Sequence, residues 1–133
     1  MRYSNELPPL DQLLSLYGDA GQITSTASPD RLVRALENSL HLVTAWENEQ
    51  LVGLARAVGD GESILYLQDV LVHSSFHHHG IGTQLVAMLL SAFPSVRQVV
   101  LLTDDSPASA SFYESLGFSR AAEKYCAAYV QFR

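Results

Sequence analysis

The stretch VLVHSSFHHHGIGTQLVAMLL, residues 70–90, decides the fold. It opens as an apolar strand-like run and closes as a helix, predicted from about Gly80 to Phe93, with Leu85, Val86, Leu89 and Leu90 on one face. Between them stand three histidines and Gly80-Ile81-Gly82. A strand, a tight loop and a helix beginning on Gly-x-Gly is geometry for holding an anion. Glycines let backbone approach closely, and the first amides of a helix lack internal partners and point outward. Neither familiar nucleotide motif is met. A P-loop requires Gly-Lys-Ser/Thr and no Lys is near, and a dinucleotide fingerprint requires a third glycine where this chain has Leu85. The loop therefore points to a phosphate-bearing ligand of another kind, although two glycines can also merely shape a turn.

Working outward, Pro94 stops the helix and VRQVVLLT (96–103) reads as a short apolar strand. A second helix spans 106–118, SPASASFYESLGF, opened by Ser106-Pro107 and closed by Gly117. Upstream, SILYLQDVLV (63–72) is a long strand. Strand, helix, strand and helix in succession imply a right-handed crossover between two parallel strands. Before that, LHLVTAW (40–46) and LVGLARAV (51–58), joined by Glu47-Asn48-Glu49-Gln50, form an antiparallel hairpin. Helical spacing recurs at Leu10, Leu13, Leu14 and Tyr17, and again after Ser28-Pro29-Asp30, where Ser is the expected cap. KYCAAYVQF (124–132) alternates like a closing strand. The fold class expected is α/β: a mixed central sheet with antiparallel hairpins and one parallel crossover step, flanked by about four helices.

With 133 residues the chain is expected to be a single domain over 1–133. Hydrophobic residues at 47% and charged ones at 17% are too apolar a mixture for disorder. A net charge of -6 with only eight Lys and Arg, none clustered, argues against a nucleic-acid partner. No apolar run reaches the roughly 18 residues of a membrane span. MRYSNELPPL lacks the apolar core of a signal peptide, so a cytoplasmic location is expected. Cys126 stands alone, which excludes an internal disulfide and fits packing better than nucleophilic catalysis. Nor is a metal expected. His77, His78 and His79 are too close in sequence to converge on one ion, and no second Cys/His/Asp cluster stands at ligand spacing.

The loop at 77–82 and the helix end Phe112-Tyr113-Glu114-Ser115-Leu116-Gly117-Phe118 together resemble the GNAT family of acyl-CoA-dependent N-acyltransferases. That family carries a Q/R-x-x-G-x-G/A loop after its central strand and a later Phe-Tyr-Glu-x-Leu-Gly-Phe helix end. The resemblance is strongest over residues 63–118. It implies that backbone amides from about His78 to Thr83, through His79, Gly80, Ile81 and Gly82, hold the pyrophosphate of acetyl-CoA or another acyl-CoA, with His77 also a cofactor-binding residue of that loop. It also implies that the strand end at Leu71 and Val72 pairs with the pantetheine arm. Ser106 would offer a hydroxyl to that arm, with Phe112 beside it, and Tyr113 would lie near the thioester sulfur. The family prefers Arg or Gln at the position of His77, whereas this chain has no Lys or Arg from Ala57 to Val96. The histidines are then the local side chains able to carry positive charge as pH falls through about 6.5.

N-acetylation needs a neutral amine, a stabilised oxyanion and a protonated leaving thiolate. Asp69, a carboxylate inside an apolar strand, is the expected base, against a purely structural role. A backbone amide near Val72 would receive developing charge on oxygen, and Tyr113 would give its proton to sulfur. Direct attack within a ternary complex needs no covalent intermediate. The expected acceptor is a small primary amine, lined by candidates Trp46, Arg56, Tyr66 and Tyr125. The alternatives are acetylation of a protein amine and a non-catalytic acyl-CoA-binding domain. Late strands could also offer an edge for a homodimer.

Overall fold

The computed structural model describes residues 1–133, the side chain of Ile23 excepted. Strand β1 (Arg2–Ser4) pairs antiparallel with β2 (His41–Glu47), β2 with β3 (Gln50–Gly59), and β3 with β4 (Ile64–Val72). Strand β5 (Gln98–Leu101) joins parallel to β4, completing a five-stranded sheet in the order β1-β2-β3-β4-β5. Helices α1 (Leu10–Asp19), α2 (Ile23–Ala27) and α3 (Pro29–Glu37) lie between β1 and β2 in sequence. Helix α4 (Ile81–Ser91) makes the crossover and α5 (Pro107–Ser115) comes after β5. The chain forms two compact units, Met1–Leu102 with the sheet and α1 to α4, and Thr103–Arg133 with α5.

The two faces of the sheet are built from different residues. On one, Leu42, Trp46, Leu51, Leu54 and Leu71 pack with Leu13, Leu16 and Tyr17 of α1 and Leu32 and Leu36 of α3. On the other, the register sets Ala45 opposite Gly53, Val43 opposite Ala55 and His41 opposite Ala57, a face of small side chains. Helix α4 comes down on it so closely that a Cβ at Gly53 would meet Leu85 Cδ1 at 2.9 Å and Ile81 Cγ2 at 3.1 Å. Small residues in the strands thus set how near α4 lies to the sheet.

Strand β4 changes face along its length. Ala57 pairs with Leu67 but Arg56 pairs with Asp69, so Gln68 is an extra residue, a β-bulge. Simple alternation would put Leu65, Leu67, Asp69 and Leu71 on one face. The bulge instead leaves Leu67 opposite Ala57, on the α4 face, and turns Asp69 and Leu71 toward α1 and α3. The parallel ladder with β5 also stops there, at Leu67 with Leu101.

Three expectations need correction. The segment 124–132 is not a closing strand. Ala121–Lys124 form a 3-10 turn, Tyr125 adopts a left-handed conformation with φ 60°, and no described strand pairs with residues 126–133. Alternation marks a segment able to pair, while a strand exists only where a neighbour supplies the ladder. Among the described residues the α-helices number five where about four are expected, and strand β1, only three residues long, gives no periodic signal. Ser28 does occupy the cap position of α3, with Pro29 at the first turn, but its hydroxyl makes no capping bond.

The close approach at Gly53 is testable. Gly53→Val should destabilise the protein by about 1–3 kcal/mol through overpacking against α4, measured by urea unfolding. A variant as stable as the parent would show that the helix can move away at no cost.

Candidate functional site

In the first unit, the expected residues from Asp69 to Thr83 lie along one strand end, one loop and one helix start. The His73 amide bonds to the Val52 carbonyl at 2.8 Å, continuing the β3–β4 ladder. Because ladder groups alternate, Leu71 also turns its amide and carbonyl toward β3, while Val70 and Val72 turn theirs outward. Past Leu67 that outward edge has no described sheet partner. Val72 thus turns its backbone outward, where its carbonyl meets the His77 ring, and Leu71 gives its side chain to the core. Val70 is a further outward-facing residue, which no sequence signal marks.

The loop is tied down at several points. His77 Nε2 lies 2.8 Å from the Val72 carbonyl, and since a carbonyl only accepts, the imidazole donates from that nitrogen. Asp19, at the end of α1, accepts from the Ser74 amide at 2.8 Å and the Ser74 hydroxyl at 2.7 Å. The His73 ring adds Nε2 at 3.5 Å from the same carboxylate, and its Nδ1 accepts from the Ser75 amide. Hydrogen bonds from Ser74 hold the Asp19 carboxyl below the usual carboxylate range, with the nearby His73 a lesser contribution. Then the chain turns sharply, with His78 at φ 66° and Gly80 at φ 76°, before α4 begins. Glycine adopts that conformation freely, whereas His78 does so at a cost.

Among the described residues, no protein acceptor takes the amide hydrogens of His78, His79, Gly80, Ile81, Gly82 or Thr83. The first intrahelical bond is donated by Gln84, to the Gly80 carbonyl. Six successive donors at the start of an 11-residue helix make a strong anion-binding feature, reinforced by the helix dipole. The donor set fits a pyrophosphate. No group of three or more His, Cys, Asp or Glu among the described residues could hold a metal ion, and no described helix is long and apolar enough to cross a membrane.

Asp69 belongs to a largely buried polar cluster in the same unit. Its Oδ2 accepts from Arg56 Nε at 2.6 Å and from the Tyr17 hydroxyl at 2.8 Å. Arg56 also donates to the Ser39 hydroxyl at 3.2 Å. The ion-pair side chains are only 11% and 10% exposed, so the pair is held away from water. Burial, then the Asp69 carboxylate, raises the Tyr17 hydroxyl well above the ordinary phenol value and keeps it a donor. No described donor takes Asp69 Oδ1. Of the acceptor-lining candidates, Arg56 belongs to this cluster, and Trp46 is a core residue whose indole donates to Thr44. Tyr66 is half-buried, and Tyr125 is 99% exposed.

The other expected residues, Ser106, Phe112 and Tyr113, share α5 and its cap in the second unit. The Ser106 hydroxyl accepts from the Ser109 amide at 3.2 Å, as a helix cap does. Tyr113 lies edge-on to Phe112 and to Phe118, with ring centroids at 4.9 Å and 5.8 Å. Its carbonyl accepts from the Phe118 amide, beyond Gly117 at φ 91°. The Leu-Gly-Phe that ends the motif is therefore the helix stop that folds Phe118 back onto Tyr113. Burial first, then the Asp104 carboxylate, raises the Tyr113 phenol above its ordinary value.

With this geometry in view, the comparisons are decisive for the family. The Acetyltransferase (GNAT) domain model matches residues 16–133. The chain is 30% identical to a GNAT family acetyltransferase from Streptococcus pneumoniae, covering 99% of this chain and 96% of that one with a TM-score of 0.85. A probable acetyltransferase from Staphylococcus aureus shares the fold at 21% identity, 98% coverage of both chains and a TM-score of 0.82. An aminoglycoside 6'-acetyltransferase type Ii is 27% identical over 87% of this chain and 81% of its own, with a TM-score of 0.69. Among curated proteins no sequence matches. The chain belongs to the GNAT acetyltransferase family.

Two consequences can be measured. Tyr17→Phe should cost about 2 kcal/mol, the range of a hydrogen bond to a charged group, and Arg56→Ala about 3 kcal/mol or more, because it strands a buried carboxylate. Urea unfolding checks both, and a neutral Arg56→Ala would refute a dry pair. Asp19, held low when folded, contributes to stability above the ordinary carboxylate pKa, and that contribution is lost as pH falls through its folded value. Asp19→Asn should accordingly speed hydrogen exchange at the Ser74 amide at neutral pH, while an unchanged rate would mean the tether is not closed in solution.

Proposed function

We propose that the chain, acting as a single domain over residues 1–133, is a cytoplasmic N-acetyltransferase that moves the acetyl group of acetyl-CoA to a primary amine of a small molecule. The observation that carries this reading is the run of six unpartnered amides from His78 to Thr83, set beside the open outer edge of β4. When bound, acetyl-CoA supplies an activated acetyl thioester. Its pyrophosphate would be held by those amides, and its pantetheine arm would pair with the outward amide and carbonyl of Val70, beside the Val72 carbonyl that accepts from His77. The Ser106 hydroxyl and the Phe112 ring border the arm. The acceptor amine gives up its proton to Asp69 through Oδ1, directly or by way of water, while Arg56 and Tyr17 keep the carboxylate in place. The Val72 amide steadies charge on the carbonyl oxygen during attack in the ternary complex. Tyr113 then protonates the departing sulfur.

A small cationic acceptor is favoured by the net charge of -6. The likeness to an aminoglycoside 6'-acetyltransferase supports an amine on a small molecule rather than on a protein.

Calorimetric titration with acetyl-CoA at pH 7 tests the cofactor assignment, with micromolar binding expected. No binding of acetyl-CoA or CoA would overturn it. In a screen of amines for CoA release, Tyr113→Phe should lower kcat at least tenfold while leaving cofactor affinity unchanged, since general acid catalysis contributes about 10²-fold or more. The phenol acts in its protonated form and its pKa is raised. Loss of kcat on the alkaline side should therefore begin only above the ordinary tyrosine value of about 10. A fall centred near pH 8 would assign the proton to another group.

A further inference from the structure

On the sheet face that α1 and α3 pack against, β3 and β4 form a ladder of paired side chains. Leu54 lies opposite Leu71, and both are closed into the core. Arg56 opposite Asp69 comes next, and Val58 opposite Tyr66 follows. Residues two apart on β3 share a face and cross-strand partners share it too, so Val58 and Tyr66 stand beside the ion pair. The parallel register adds Val100 of β5 next to Tyr66. None of Val58, Tyr66 and Val100 belongs to the core cluster, and each is half-buried.

Along the strands, the Asp69 carboxylate therefore has closed core on one side and a partly open apolar row on the other. Across them, β5 stops opposite Leu67 and leaves the edge of β4 open. The charges in this ladder cancel, because Arg56 and Asp69 pair at 2.6 Å and the row beyond them carries none. At the far turn, Asp60 is already spent on the amides of Glu62, Ser63 and Ile64. One amine can be received at Asp69 Oδ1, whereas a second cationic centre would lie among valines with no acid to meet it. An apolar body is what the row can cover. The Tyr66 hydroxyl makes no bond among the described residues, so its ring is held by packing alone and offers a surface to another ring. Two strand residues span about 7 Å, which sets that ring roughly two methylenes from the amine.

We propose that the acetyl acceptor is a primary arylalkylamine, with its nitrogen at Asp69 Oδ1 and its ring on Tyr66 between Val58 and Val100. Tyr66 is then the residue that determines acceptor specificity. This assignment rests on the acetyl-transfer reading and narrows its acceptor. Acetyl-CoA reaches Asp69 from the open edge of β4 and the amine from the Tyr66 row, so neither crosses the other. The amine nitrogen bonds the acetyl carbon as the carbon–sulfur bond breaks. The amine proton passes to Asp69, and the thiolate takes one from Tyr113.

Steady-state CoA release by the full chain at saturating acetyl-CoA tests it, with 2-phenylethylamine, propylamine and spermidine as acceptors. The kcat/KM for 2-phenylethylamine should exceed that for either of the others at least about tenfold, the discrimination an apolar contact supplies. Tyr66→Ala should erase that preference, and Tyr66→Phe, which keeps the ring, should preserve it. A ratio taken on one preparation does not depend on how much of it is folded. A parent that acetylates propylamine or spermidine as well as 2-phenylethylamine overturns the assignment and leaves the acetyl-transfer reading standing. A preference that survives Tyr66→Ala does the same. No CoA release with these or any amine of a broader panel overturns the acetyl-transfer reading itself, and the assignment with it.

Discussion

The single extra residue at Gln68 is the constraint on which the first unit depends. Strand β4 must serve two layers, since its first half packs with the α4 face and its second half meets α1 and α3. A regular strand cannot do this with the sequence Leu65-Tyr66-Leu67-Gln68-Asp69-Val70-Leu71, because its period of two would send every odd residue to one side. The bulge resets the phase. It carries Asp69 to the face where Arg56 is its cross-strand partner and Tyr17 can reach it. Without the bulge that carboxylate would be pressed among the small residues beneath α4 with neither donor, at a cost no core of this size could bear. The bulge also coincides with the end of the β4–β5 ladder, so the same local irregularity that buries the charge opens the strand edge.

Both helical layers then converge on the exposed end of β4. From one face, the last residue of α1, Asp19, reaches Ser74 and the His73 ring. From the other, α4 is drawn onto Gly53 by Ile81 and Leu85, the first of which is also the first residue of the helix. The loop between them is fixed at both ends and needs few contacts of its own. Its amides point outward because the helix has no earlier turn to receive them, and the close packing at Gly53 sets where they point. Position here comes from the core, while the donors come from the backbone.

How much of this is legible in the sequence depends on whether the signal is local. Helices α1, α3, α4 and α5, the β2–β3 hairpin and the crossover carry their own periodicity and punctuation, and each can be placed to within a few residues. Gly80 and Gly82 announce the loop, and Ser106-Pro107 announces the cap of α5, because capping is a matter of a few neighbouring residues. The bulge leaves no such mark. Gln68 is an ordinary strand residue, and only the pairing of Arg56 with Asp69 across 13 positions reveals it. For the same reason Asp69 is legible as an unusual acid but not as the centre of a cluster with Tyr17, which is 52 residues away in sequence. The strand expected at 124–132 fails in the converse way. Its local pattern is sound, but a strand is a relation between two segments, and the partner is not in the sequence pattern at all.

The histidines show how backbone geometry can replace side-chain charge. A loop that bound an anion through arginines would owe its affinity to charges that salt screens and that entropy must immobilise. This loop lacks them, and His77 spends its donor on the Val72 carbonyl instead. That bond fastens the loop to the strand end and orients the amides beyond it. A positive side chain there would add attraction but would leave the loop to find its shape on binding. The imidazole gives up part of that attraction for a loop already folded, and preorganised dipoles lose little when a ligand arrives. The side chains of His78 and His79, both exposed, stand beside the donors. The triple histidine is thus best understood as one structural residue and two that face solvent, and its meaning lies in the amides it carries rather than in the rings.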